Sequence, residues 1–244
     1  MYLVPCTVLP RCTLYNVPCT VIPMPRIHTI HMGFDQAYLV VDEGVILIDG
    51  GAPGKIAALE KELARVDVAP TDIRLIVITH GHWDHIGSAR AIRELTGAEI
   101  AMHGSDAYLL EEGIVRLSPG ISPWGRLFVK AHQLFLPFIK IEPCDVDIRI
   151  GDEGMDLGEY GIPGKVVHTP GHSHGSLSVL LGTGQAFVGD LAMNRLPLRA
   201  SPGLPIFAVD EKQVRDSWQK LIAAGATEFW PAHGKPFKVV KGIS

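Results

Sequence analysis

The chain has 244 residues, of which 47% are hydrophobic, and 22 basic against 26 acidic side chains give it a formal net charge of -4. Because the charges are interspersed and no run of Lys or Arg occurs, the composition argues against nucleic-acid binding. No apolar stretch approaches the roughly 20 residues of a membrane-spanning helix, so we expect a globular, cytoplasmic protein that acts on a small molecule.

The first 25 residues differ in character from the rest. Residues 2–10 and 15–23 echo each other, but two short copies do not build a repeat fold. Cys6, Cys12 and Cys19 lie here, and together with Cys144 they lack the paired spacing of a structural zinc site. Prolines interrupt the apolar bias, which makes a poor signal peptide. We expect residues 1–25 to be a loosely ordered extension, or an arm for a partner, before one domain at residues 26–244.

Three short apolar runs follow, at residues 29–32, 37–41 and 45–48. Glycine-containing turns separate them, which is typical of antiparallel strands. Asp49 opens the next turn, at residues 49–54, and could simply cap the helix predicted at residues 54–65.

A cluster of metal-binding side chains follows the next predicted strand, at residues 73–79. Residues two apart in an extended segment point to the same side, so His80 and His82 can converge on one ion. Asp84 and His85 are then placed to serve a second ion. A helix predicted at residues 86–95 begins just after them, and its dipole favours an ionised Asp84. The alternative is an ordinary polar turn.

The middle of the chain combines a short strand at residues 98–102, a helix at residues 105–112, and a segment at residues 113–143. Ser122 and Pro123 are a good helix start, and Pro137 is expected to bend or end that helix. Apolar residues recur there at helical spacing: Trp124, Leu127, Phe128, Ala131, Phe135 and Phe138. We interpret this insertion as a lid or pocket wall; packing in a homodimer is the alternative, and membrane contact is less favoured.

The remaining strands also end at potential ligands. Residues 147–150 are predicted to begin a second set of strands, residues 165–169 lead to His172, and a hairpin at residues 177–181 and 186–189 ends at Asp190. A helix at residues 211–223 precedes the last predicted strand, at residues 228–230, which delivers His233. His103, His168 and His174 are interpreted as structural or supporting histidines.

The motif His80-x-His82-x-Asp84-His85 after an apolar strand resembles the signature of metallo-β-lactamase-fold hydrolases. The likeness extends to three downstream segments, which contain His172, Asp190 and His233. It implies one ion held by His80, His82 and His172, another held by Asp84, His85 and His233, and Asp190 bridging both. Asp49 matches a family aspartate that supports the metal loop. In having an aspartate, Asp190, at the bridging position, the sequence resembles the glyoxalase II and lactonase branch of the family.

Two further expectations rest on these residues. The order of strands and helices in two similar halves predicts an α/β (α+β) fold, a four-layer αβ/βα sandwich. The donor set predicts two zinc ions, with iron or manganese as alternatives, and hydrolysis by a metal-bridging hydroxide that attacks an ester, lactone or thioester carbonyl. Asp84 is the candidate to hold the water and pass its proton to the leaving group. The alternative function is a persulfide-dioxygenase-like oxygenase with one iron.

Overall fold

Residues 24–239 form two sheets, and the first carries the early strands. The structure, a computed structural model, describes residues 24–239, so almost all of the predicted extension at residues 1–25 lies outside the described residues. The sheet has the order β1-β2-β3-β4-β5-β6. Its strands are β1 (Arg26–His31), β2 (Gln36–Val41), β3 (Val45–Ile48), β4 (Ile73–Val77), β5 (Glu99–His103) and β6 (Ile148–Ile150). The first three strands pair antiparallel, as predicted, and β3 to β6 pair parallel.

The second sheet carries the late strands, in the order β12-β11-β10-β9-β8-β7. Its strands are β7 (Met155–Asp156), β8 (Gly164–His168), β9 (Leu177–Leu181), β10 (Gln185–Met193), β11 (Glu228–His233) and β12 (Phe237–Lys238). The predicted hairpin is β9 and β10, which pair antiparallel, whereas β10 and β11 pair parallel. Parallel pairing places the ends of β10 and β11, with Asp190 and His233, at the same edge of the sheet.

In the described residues, six α-helices cover the outer faces of the sheets or lie at their ligand-bearing edge. They are α1 (Ile56–Val66), α2 (Trp83–Ile86), α3 (Ala89–Thr96), α4 (Gly104–Glu111), α5 (Pro123–His132) and α6 (Glu211–Ala223). One apolar cluster packs the two sheets together, through residues such as Tyr38 and Phe187, and two others pack helices onto the outer faces. Strands buried on both faces explain the continuous apolar runs of the sequence. The predicted four-layer sandwich is confirmed.

Three details of the prediction are wrong. The strand at residues 147–150 does not begin the second sheet: Asp147 bonds to the backbone of Ile100 through both its amide and its carboxylate, which fixes β6 on the free edge of β5. The helix predicted at residues 86–95 is split into α2 and α3. A Cβ on Gly87 would lie 2.4 Å from Pro53, and Ser88 bonds to Ala52, so the break seats the loop after β3. The third error is small: the strand predicted at residues 228–230 is not the last one, because β12 follows β11.

The segment at residues 113–143 forms an exposed helix. Ser122 caps α5 through its hydroxyl, which accepts from the Gly125 amide at 2.9 Å, and the chain turns again at Leu136–Phe138. Gly125 is the one buried residue of α5, and the half-buried Phe128 and Val129 pack against a small apolar cluster that includes Ile206 and Phe207. In the described part of the chain, no helix is long and apolar enough to cross a membrane.

Candidate metal centre

The two sheets bring the predicted ligands to one edge of the sandwich. His80 and His82 follow β4, Asp84 and His85 lie in α2, and His172, Asp190 and His233 come from the second sheet and its loops. All seven side chains are buried. The structure therefore brings together every residue that the motif analysis selected, although their role as ligands stays a prediction.

The first ligand group consists of His80, His82 and His172. His80 Nε2, His82 Nδ1 and His172 Nε2 lie 3.0 Å from one another. Three nitrogens that face each other in this way cannot all be satisfied by one shared proton, whereas ligands at about 2.0 to 2.1 Å from a tetrahedral zinc lie about 3.3 Å apart. The geometry therefore fits a cation at the centre of this group.

The second ligand group consists of Asp84, His85 and His233. His233 Nε2 lies 3.3 Å from Asp84 Oδ2 and 3.2 Å from Asp190 Oδ1. Asp190 Oδ1 is also 3.4 Å from His85 Nε2, while Asp190 Oδ2 is 3.6 Å from His172 Nε2 in the first group. One carboxylate thus faces both groups, as expected of a bridging ligand.

The ring nitrogens on the far side of these histidines have fixed partners. His172 Nδ1 bonds to the Phe207 carbonyl at 3.0 Å, and His233 Nδ1 bonds to the Phe34 carbonyl at 3.1 Å. His85 Nδ1 lies 3.0 Å from Asp49 Oδ2, as expected from the resemblance, and Asp49 does not cap α1, whose N-cap is Lys55. Such partners orient the rings and leave the inward nitrogens free for a metal.

Among the buried side-chain atoms of residues 24–239 that lack a hydrogen-bond partner, two belong to the predicted ligands, namely His85 Nε2 and Asp190 Oδ1. They face each other at 3.4 Å. Buried polar atoms normally have partners, so this pair marks a place where something outside the chain belongs. Imidazole nitrogens and carboxylate oxygens suit zinc or similar first-row metals, so the residues fit two such ions.

The electrostatics differ between the two groups when only protons are available. Burial lowers the pKa of His80 well below its ordinary value and that of His82 to about 3. Burial alone would also lower the pKa of His85 and His233, but neighbouring carboxylates reverse the effect. Asp49 and Asp190 raise the pKa of His85 well above its ordinary value, and Asp190 and Asp84 raise that of His233 well above its ordinary value. The second ligand group therefore holds protons where a metal would supply positive charge.

Asp35 is a buried carboxylate that the sequence analysis did not select. It is 0% exposed, and neither of its side-chain oxygens has a hydrogen-bond partner among residues 24–239. Burial raises its pKa to about 7, against an opposing effect of His85. In the sequence, Asp35 is an ordinary polar residue of the turn after β1. Its burial without a hydrogen-bond partner is visible only in the folded structure.

The other predicted supporting histidines form a separate cluster. The rings of His103 and His168 stack with centroids 4.1 Å apart, and both face Asp152. A metal binds in the plane of an imidazole ring, so two parallel rings do not aim their lone pairs at one ion. His168 Nε2 instead bonds to the His174 carbonyl, which helps hold the loop that carries His172.

A narrow cleft opens on the second ligand group, and we call it the apolar slot. Its floor is formed by His82, Asp84 and His233. Its walls are apolar apart from His132, and are formed by Phe34, Trp83, Leu117, Phe128, Leu198 and Phe207. α5 contributes Phe128 and His132, so the predicted insertion is in part a wall of this cleft. A larger cavity of about 450 Å³, near Arg199 and Arg215, borders none of the seven predicted ligands.

Sequence comparison relates the chain to known proteins. Residues 33–233 match the model of the metallo-beta-lactamase superfamily. An uncharacterized protein of Mycobacterium tuberculosis is 31% identical over 201 residues, which cover 78% of this chain and 80% of that protein. A probable metallo-hydrolase of Methanocaldococcus jannaschii is 28% identical over 144 residues, 59% of this chain and 61% of the relative.

Solved structures with the same fold include the B3 metallo-beta-lactamase BLEG-1, with a TM-score of 0.63 and 23% identity over 87% of this chain and 94% of that one. A metallo-beta-lactamase superfamily protein from Sulfolobus tokodaii has a TM-score of 0.60 and 23% identity, covering 88% and 82% of the two chains. At such identities the likeness bears on the fold alone.

Proposed function

Since the chain belongs to the metallo-β-lactamase superfamily, we propose that it is a hydrolase with two zinc ions, acting on an ester, lactone or thioester carbonyl of a small molecule. The observation that carries this proposal is the position of Asp190. Its two oxygens face different ligand groups, Oδ1 towards His85 and His233 and Oδ2 towards His172. A carboxylate so placed would hold two ions, if bound, close enough to act on one water.

When bound, such a pair of ions lowers the pKa of a water from about 15.7 towards about 7 and polarises the carbonyl under attack. The first ligand group and Asp190 would hold one ion, and the second group would hold the other. Asp84 has a further role, because it lies both in the second group and on the floor of the apolar slot. Burial alone would raise the pKa of Asp84, but the bond to His233 and the charges of His85 and His233 together lower it, so the side chain is a carboxylate. It can accept a proton from the attacking water and deliver it to the leaving group.

A carbonyl substrate is supported by the surroundings of the site. The apolar slot offers contact area to an acyl or alkoxy group beside the scissile bond, while the ligand groups face the bond itself. The alternative, a single-iron oxygenase, needs only His80, His172 and Asp190 as ligands. The complete second group, with its own buried histidines and carboxylate, supports the two-ion proposal over that alternative.

The test combines metal analysis with a substrate panel. Purified protein is analysed for metal, reconstituted with zinc, and assayed on esters, lactones, thioesters, phosphodiesters and β-lactams. We expect two metal equivalents and turnover of a carboxylic ester, lactone or thioester, abolished by His80→Ala and retained by the exposed control His174→Ala. One iron per chain, oxygen consumption with a thiol or persulfide, and no hydrolysis after zinc reconstitution would overturn the proposal.

A further inference from the structure

The apolar slot is narrow and leads directly to the second ligand group. Its cavity volume is about 40 Å³, and one water needs roughly 10 to 15 Å³ of such volume. A slim group therefore fits better than a bulky one.

Aromatic rings line the path from the ligands outwards. The centroid of the Phe207 ring lies 5.5 Å from that of the His172 ring and 6.1 Å from that of the Phe128 ring. The planes of the Phe128 and Phe207 rings are inclined by only 10°. Phe128 in turn stacks on His132 at 4.4 Å. The Phe207 carbonyl bonds to His172, so the position of this wall is fixed relative to the first ligand group.

Cations are missing from this wall. Among the described residues, none that lines the slot is Lys or Arg. Arg195 lies nearby, but its guanidinium bonds to the Phe34 carbonyl at 2.7 Å and belongs to a different surface depression. A negatively charged group that lies between the apolar walls, away from the ligand groups on the floor, would lose its hydration without gaining a Lys or Arg counter-ion, which is strongly unfavourable.

We propose that the slot selects substrates whose acyl or aryl group next to the scissile carbonyl is slim, apolar and uncharged. This rests on the proposed function and deepens it. Each methylene buried against the Phe128 and Phe207 wall is worth up to about fourfold in affinity. A terminal carboxylate on the same chain cancels that gain.

Binding of hydroxamates tests the slot independently of hydrolysis, since a hydroxamate head binds metal and its tail occupies the slot. The affinities of zinc-loaded protein are measured by calorimetry for alkyl hydroxamates of increasing length and for matched chains ending in a carboxylate. We expect affinity to rise with alkyl length, by two- to fourfold per methylene, and to fall at least tenfold when the tail is charged. Phe128→Ala is expected to remove most of the length dependence, whereas Phe138→Ala, a matched change at a side chain 82% exposed, leaves it intact.

The outcomes separate the two proposals. Affinity that does not depend on tail length, or that rises with a charged tail, would overturn the slot and leave the hydrolase proposal standing. The expected length dependence without turnover of any ester, lactone or thioester would uphold the slot and overturn the hydrolase. Failure to bind any hydroxamate would overturn both.

A second inference concerns Asp35, and a different observation carries it. The residues on both sides of Asp35 are tied to the strand that delivers His233. The Phe34 carbonyl accepts from His233 Nδ1 at 3.1 Å, and the Gln36 amide donates to the carbonyls of Ala232 and Gly234. The Asp35 carboxylate is thereby held, without a partner of its own, in the field of Asp84, His85 and His233.

A buried carboxylate without hydrogen bonds is costly, and a folded protein keeps one only where positive charge compensates it. Phe34 and Gln36, on either side of Asp35, bond to His233 and to the carbonyls beside it, which places Asp35 next to the second ligand group. We infer that Asp35 is a positioning residue whose charge strengthens binding of the ion held by that group, while its oxygens stay outside the ligand set.

The test separates this role from a structural one by two readouts on Asp35→Asn. We expect zinc affinity at the second group to fall about tenfold or more, by chelator competition, while the first group is unchanged. The melting temperature of the metal-free variant is expected to equal or exceed that of the wild type, because the variant no longer buries a carboxylate that has no hydrogen-bond partner. The control is Asp42→Asn, on the turn between β2 and β3, which also has a buried oxygen without a partner. Unchanged second-group affinity, or loss of both metals with a lower melting temperature, would contradict the inference.

Discussion

Replacing Asp49 by Asn tests how the second ligand group is oriented. Asp49 Oδ1 accepts from the Thr79 amide at 2.8 Å, and Oδ2 lies 3.0 Å from His85 Nδ1. In Asp49→Asn the amide oxygen can keep the Thr79 bond, but the NH2 group then faces His85 Nδ1. That favours the tautomer with its proton on Nε2, the nitrogen that faces Asp190. A metal must displace a proton from His85 in the wild type as well, but there Asp49 can accept from Nδ1–H and support the metal-bound imidazole, which the NH2 group cannot do.

The expected loss of metal affinity follows from the burial of the His85–Asp49 pair. The side chains of His85 and Asp49 are 0% and 2% exposed, so solvent does not screen their interaction. Losing such a partner behind a metal-binding histidine costs about 10- to 100-fold in metal affinity, or about 1.4 to 2.7 kcal/mol. We expect this loss at the second ligand group and less than a threefold change at the first. The fold is expected to persist, because Asn tolerates the left-handed backbone at position 49, where φ is 67°.

The assay is zinc titration against a chromophoric chelator, which resolves two dissociation constants. Asp67→Asn is the matched control, since Asp67 also has a left-handed backbone, with φ of 56°, but lies exposed at the end of α1. Second-group affinity within twofold of the wild type in Asp49→Asn would refute this account of how His85 is oriented.

Three further outcomes are expected. The histidines of the second ligand group have raised pKa values and those of the first have lowered ones, so a metal must expel protons only from the second group. Zinc affinity at the second group should therefore rise with pH between about pH 6 and pH 8, by up to about tenfold per pH unit for each proton released, while affinity at the first group changes little. Chelator competition at several pH values measures both affinities. Asp190→Asn should weaken the second metal and impair ester, lactone or thioester turnover, measured as zinc content and kcat/KM on one preparation. Gly189→Ala places a Cβ 2.5 Å from the Thr79 hydroxyl at a φ of 50°, so urea unfolding should show a loss of about 1 to 3 kcal/mol, against no loss in the control Gly104→Ala, whose Cβ meets nothing within 4 Å.

Much of the fold could be predicted because its information is local. Apolar runs bounded by turns identify strands, and the spacing of His80, His82, Asp84 and His85 identifies ligands regardless of which sheet carries the rest. Sheet membership is not local: residues 147–150 have the pattern of a strand in either sheet, and only the bonds from Asp147 to Ile100 decide it.

The parts of the site that escaped the sequence analysis depend on distant contacts. Asp35 is distinguished by packing against a strand almost 200 residues away, and nothing in its neighbours signals this burial. The apolar slot likewise forms from segments far apart in the chain, including Trp83, Phe128 and Phe207. The helical pattern of residues 123–132 predicted a lid or wall, but which of its residues face the metal centre required the fold.

The central claim is that two separate groups of ligands each hold an ion, with Asp190 between them. Zinc content after mild chelation tests it most directly in the wild type, His172→Ala and His233→Ala. The account predicts two ions in the wild type and about one in each variant, with the lost ion being the first group's in His172→Ala and the second group's in His233→Ala, as assigned by chelator competition. Equal zinc content in all three proteins would contradict it.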